Sequence, residues 1–118
     1  MAVNQIEAGI NVAAMTMDAN AIARVLLVDG QPAHDASSEM LSLGNVFLVT
    51  TEGSRFDACA TLTVLYDTPK TTRLVEISVD IEGKIGRDGS VTIDAIRSDF
   101  HPSERIKDDY ARFARMTR

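Results

Sequence analysis

The stretch Thr72-Arg73-Leu74-Val75-Glu76-Ile77-Ser78-Val79-Asp80-Ile81-Glu82-Gly83-Lys84-Ile85 decides the fold. Val75, Ile77, Val79 and Ile81 take every second place, and Glu76, Ser78, Asp80 and Glu82 fill the gaps. A period of two puts the aliphatic side chains on one side of an extended strand and the carboxylates on the other. Wound into a helix, the same residues would be scattered around its axis. The spacing therefore predicts a strand over residues 72–85 with one apolar and one acidic face.

Reading outward from that strand gives more of the same. Downstream, Arg87-Asp88-Gly89 is a hairpin signal, because Asp-Gly suits the turn whose twist matches that of the strands. Residues 90–97 return, with Val91, Ile93 and Ala95 expected inward and Thr92 and Asp94 outward. Upstream, Asp67-Thr68-Pro69-Lys70 is a turn whose proline ends the ladder. Before it, residues 55–66 end in the strand-prone run Leu62-Thr63-Val64-Leu65-Tyr66. Glu52-Gly53-Ser54 makes another tight turn after Val46-Phe47-Leu48-Val49-Thr50-Thr51. Parallel pairing needs crossovers of a dozen or more residues, and these connections are too short. The expected fold class is α+β: a four-stranded antiparallel β-meander over about 45–98, packed by N-terminal helical segments and a C-terminal helix over 102–116.

The C-terminal helix rests on two observations. Pro102 suits the first helical position, with Glu104 near the positive end of the helix dipole. Ile106, Tyr110, Phe113 and Met116 then fall on one stripe, and Arg112, Arg115 and Arg118 crowd the last turns. Nearer the start, Asp18 can cap a helix over 19–28 that Asp29-Gly30 and Pro32 end. Residues 23–28 suit a strand equally well, and Ile10-Asn11-Val12-Ala13 fits either period. Residues 35–43 read as a short helix, capped by Asp35 or Ser37 and stopped by Gly44.

With 118 residues the chain is expected to be one domain, 1–118. Hydrophobic residues at 45% and charged residues at 25% suit a globular core, and with 5% aromatics and no Trp that core must be aliphatic. A single cysteine, Cys59, leaves no intrachain disulfide, as expected of a cytoplasmic protein. No apolar run is long enough to span a bilayer, and the first twenty residues do not have the pattern of a signal peptide. Net charge is -5, unevenly spread. Residues 1–99 carry 7 Lys/Arg and 14 Asp/Glu, whereas residues 100–118 carry 5 and 3. An acidic body argues against nucleic acid as the main partner.

Each candidate for chemistry has a plain structural reading. Gly83-Lys84-Ile85-Gly86-Arg87-Asp88-Gly89 has the composition of an anion-binding loop, but it leads into a strand rather than a helix, as a hairpin does. His34-Asp35 and His101 lack metal-ligand spacing, so no metal and no cofactor is expected. Cys59, between Ala58 and Ala60, has no base beside it in sequence. Ser37-Ser38-Glu39 and Ser103-Glu104 read as helix-start chemistry. The basic residues Arg105, Lys107, Arg112, Arg115 and Arg118 are interrupted by Asp108 and Asp109.

What remains is the acidic row Glu76, Asp80 and Glu82, joined by Asp94 from the neighbouring strand, as a partner-binding surface. The expectation is a non-enzymatic protein that binds another, basic, protein: a small acidic adaptor, chaperone, immunity or inhibitor protein, itself a homodimer. The first alternative is a small-molecule-binding domain or simple enzyme with a pocket between sheet and helices, using Tyr66, His34 or His101. The second is a nucleic-acid-associated protein that uses the basic final helix.

Overall fold

In chain order the elements are α1 (Val3–Met15), α2 (Ala19–Val25), β1 (Leu26–Val28), β2 (Gln31–Pro32), a 3-10 turn at His34–Ser38, β3 (Met40–Glu52), β4 (Arg55–Asp67), β5 (Thr72–Ile85), β6 (Val91–Ser98) and α3 (Pro102–Met116). This computed structural model describes residues 3–38 and 40–116, with side chains over 5–36 and 40–116. Glu39 and Arg118 lie outside the described residues, as do the side chains of Ser37 and Ser38 and hence the cap read for Ser37.

The alternation in β5 does what its period requires. Val75, Ile77, Val79 and Ile81 are all buried, while Glu76, Ser78 and Asp80 are exposed. β4 lies antiparallel beside it with Val64, Leu62, Ala60 and Ala58 directly opposite those four. All four β4 residues are buried too, so each cross-strand pair seals the next. β3, β4, β5 and β6 form the antiparallel meander.

The sheet is nonetheless larger than a four-stranded meander. It has six strands in the order β2-β1-β6-β5-β4-β3 and is mixed, because β1 runs parallel to β6. The helix expected over 19–28 stops at Val25, and Leu26–Val28 becomes the strand that covers the β6 edge. Both readings of this segment hold, one for each half. Leu26 is fully buried against Ile96, and that pairing outweighs one more turn of helix. The Asp18 cap stands: its Oδ1 accepts the Ala21 N–H at 2.8 Å. Asp29 and Gly30, at φ 51° and 78°, make the left-handed two-residue turn into β2.

Two further expectations are corrected. Residues 40–43 are strand rather than helix: Leu41 and Leu43 are buried opposite Val64 and Leu62, with Met40 and Ser42 turned the other way. In β6 the inward alternation fails after Ile93. Register shifts between Glu82 and Gly83, leaving Asp94 as the extra residue of a bulge. Ala95 then faces outward opposite Glu82, and Ile96 takes the buried place.

α1 packs on β3 and β6, α2 on β3 and β6, and α3 on β5. The residues they cover are the buried set, so the helices occupy one face and the molecule is two layers thick. The other sheet face has no helix on it among the described residues. The slab measures 55 × 26 × 19 Å with a radius of gyration of 15.6 Å. A compact domain of this length would be near 13.5 Å. No described helix is long and apolar enough to cross a membrane.

α3 carries the expected stripe, but only part of it is used. Ile106 packs against the core, whereas Tyr110 is 39% and Met116 82% exposed. A polar clamp holds the helix. Arg73 Nε and Nη2 donate to the two oxygens of Asp109 at 2.9 and 3.1 Å, and the Tyr66 hydroxyl donates to Oδ2 of the same carboxylate. The Arg73 guanidinium lies 4.5 Å from the Phe113 ring centre. The two donors hold the Asp109 carboxyl below the usual aspartate range, Arg73 first and Tyr66 second.

Candidate functional site

Register fixes which side chains share the uncovered face. Met40, Leu65 and Leu74 form one row across β3, β4 and β5, and Ser42, Thr63 and Glu76 the next. Further along, Phe47, Cys59, Asp80 and Arg97 line up across four strands. After them come Thr50, Asp57, Glu82 and Ala95, and Arg55 with Lys84 follow. The face thus grades from an apolar end through small polar residues to a band of carboxylates, with two cations at the hairpin end.

The apolar side chains here are conspicuous for their exposure. Met40 is 62%, Leu74 53%, Phe47 43% and Leu48 73% exposed. Leu48 also has φ 54°. That left-handed conformation costs a leucine roughly 1–2 kcal/mol, and only Gly, Asn and Asp adopt it routinely. It sits in the second of two bulges in β3, between Phe47 and Thr50, which turn its side chain over the carboxylate band.

The sheet edge, by contrast, is closed to strand addition at its middle. The bulges break the row of free groups along β3, and the Val46 N–H donates to Asn11 Oδ1 of α1 at 2.9 Å.

Phe47, Cys59, Ser78, Asp80, Arg97 and Asp29 help to line a hollow of about 510 Å³ on the open face. Arg97 Nε donates to Glu82 Oε1 at 2.8 Å, and Asp57 adds to the attraction that holds the guanidinium charged. Asp80, directly opposite Arg97 in register, has instead the weak Cys59 thiol donor at 3.5 Å. Burial first, and then that carboxylate, push the Cys59 thiol pKa up. A thiol held protonated is a poor nucleophile, which argues against covalent chemistry at Cys59.

The four residues expected to bind a partner are thus differently placed. Glu76 and Asp80 project from the open face, and Asp57 joins them from β4. Glu82 is half-buried and spent on Arg97. Asp94 is exposed in its bulge, outside the register that aligns the others. Sequence reading missed Asp57, Phe47 and Leu48. Asp57 could have been found by extending the alternation of β4 back from Leu62, but the bulges that expose Leu48 leave no mark in the sequence.

One set of side chains has the bonding order of a hydrolytic triad. Ser103 Oγ lies 2.7 Å from His101 Nδ1, and His101 Nε2 lies 3.2 Å from Asp35 Oδ1. The Ser103 N–H, however, also donates to Nδ1, so the imidazole is the cap of α3. The next two amides, of Glu104 and Arg105, both donate to the His101 carbonyl and cannot serve an oxyanion. Asp35 is 81% exposed, so water competes for the orienting bond. These residues start a helix, as the sequence reading of Ser103-Glu104 expected.

The remaining candidates fall in ordinary structure. Gly86 to Gly89 make the β5–β6 turn, where the Asp88 carboxylate accepts the Ser90 N–H at 3.0 Å. His34 borders a small hollow with Asn20, Ala23 and Arg24. Tyr66, expected in a pocket, is buried in the α3 clamp. Among the described residues no three His, Cys, Asp or Glu side chains group as metal ligands. No protein-family model and no curated protein matches this chain.

Proposed function

We propose that this chain is a non-enzymatic binding protein whose open sheet face docks on a basic, partly apolar surface of another protein. The observation that carries this reading is the uncovered face itself, which pairs exposed Phe47, Leu48, Met40 and Leu74 with the carboxylates of Asp57, Glu76 and Asp80. Contiguous exposed apolar patches rimmed by polar groups mark interaction surfaces. The basic character proposed for the partner is supported by the band, where Asp57, Asp80 and Glu82 stand around the single guanidinium of Arg97. The strained Leu48 fits the same role, since a folding-only constraint would favour Asn or Gly there.

The test is co-purification from native cells at low salt, comparing the wild-type chain with Glu76→Lys/Asp80→Lys. The variant is expected to fold normally and to lose a basic, salt-labile partner, mainly through a slower on-rate. Equal recovery of that partner by both proteins removes the face from the account.

A further inference from the structure

We propose that the open face also receives α3 of a second copy of this chain, docked head to tail. This rests on the reading of that face as a docking surface. The apolar stripe of α3 runs off its own sheet, leaving Tyr110 partly and Met116 largely exposed. Arg112 and Arg115 are exposed beside them. The tip is therefore apolar and cationic, and the face is apolar and anionic. The two surfaces of one molecule are complementary in both respects.

They cannot meet within one chain. Asp109, Tyr66 and Arg73 clamp α3 to the covered side of the sheet. Only the helix of another molecule reaches the open side. The fit in size is good: α3 has 15 residues, roughly 22 Å of helix. β4 has 13 residues, roughly 43 Å of strand, leaving room for the helix over the band and its apolar wall. A helix laid there gives the sheet its second cover. Because helix and face are different surfaces, the contact is heterologous, and each added copy presents both again.

The experiment is sedimentation equilibrium across concentration, at low and at high salt, with circular dichroism as the check on folding. The wild-type chain should gain weight-average mass with concentration at low salt and fall back toward the monomer at high salt. Arg112→Glu/Arg115→Glu and Glu76→Lys/Asp80→Lys should each weaken self-association about tenfold or more. Mixing these two variants restores opposite charge at every contact, so the mixture should associate where neither protein does alone. A wild-type chain that stays monomeric, variants with wild-type behaviour, or a mixture that stays monomeric each overturns the proposal. Loss of an external partner by the face variant, with a wild-type chain that is monomeric throughout, overturns the head-to-tail contact and leaves the docking face standing. A monomeric chain whose α3 variant loses binding to a single-stranded oligonucleotide assigns the cationic tip to nucleic acid instead.

Discussion

Gly83 shows how one residue can be fixed by a neighbour far along the chain. A β-carbon at this position would stand 2.0 Å from the Thr92 carbonyl oxygen and 2.7 Å from the Phe56 ring. The oxygen is backbone in the paired strand, so it cannot swing aside as a side chain would. Gly83→Ala is expected to cost about 3 kcal/mol, at the upper end for overpacking, read as a lower urea midpoint. Leu48 poses the opposite case. Leu48→Asn keeps the left-handed backbone with a residue that tolerates it, and should raise stability by about 0.5–1 kcal/mol. The same substitution removes the most exposed apolar side chain near the carboxylate band, so partner recovery should fall. A variant both less stable and fully competent in binding refutes the role given to Leu48. In the sequence, Gly83 looked like one of three glycines in a turn, and Leu48 like one hydrophobe in a strand. Neither the close approach nor the bulge follows from residue type, because each depends on the register of another strand.

The meander was legible as a set of elements because its signals are local. Alternation in β5, the Asp-Gly turn and Pro69 each act within a few residues. β1 and residues 40–43 were not legible in the same way. Their strand state comes from partners far away: Ile96 for Leu26, and Val64 and Leu62 for Leu41 and Leu43. Over three or four residues, such pairing outweighs helix propensity. The β3 edge depends on a partner of the same distant kind. Asn11 of α1 accepts the Val46 N–H, a part-buried donor with no strand on that side. Asn11→Leu keeps the helix but leaves this donor unmet, at an expected cost of about 1–2 kcal/mol in urea unfolding. It also reopens the edge, so light scattering on heating should begin earlier than the lost stability alone explains. A variant with unchanged stability would mean that water satisfies Val46 equally well.

At the scale of the whole molecule, α3 and the sheet are unequally joined. The meander is bound by continuous ladders and cross-strand pairs, whereas the helix meets the body through the buried Pro102 at its start, Ile106, the Tyr66–Tyr110 and Arg73–Phe113 contacts and the Asp109 clamp. Such an element opens locally before the domain unfolds. Hydrogen exchange should therefore show α3 amides exchanging faster than those of β4 and β5. Asp109→Asn should speed exchange in α3 several-fold more and leave the two central strands unchanged. Acid adds a second reading of the same joint. The folded Asp109 pKa is depressed, so its contribution is complete above the ordinary aspartate value of about 3.9 and is lost as pH falls through the lower folded value. Between neutral pH and about pH 5 the wild-type α3 rates, taken relative to the intrinsic exchange rate at each pH, should not report this group, and below about pH 4 they should rise toward those of Asp109→Asn. Equal rise in β4 and β5 would show that helix and sheet open as one unit. That outcome would also weaken the case for an α3 tip that is anchored at its base and free to dock elsewhere.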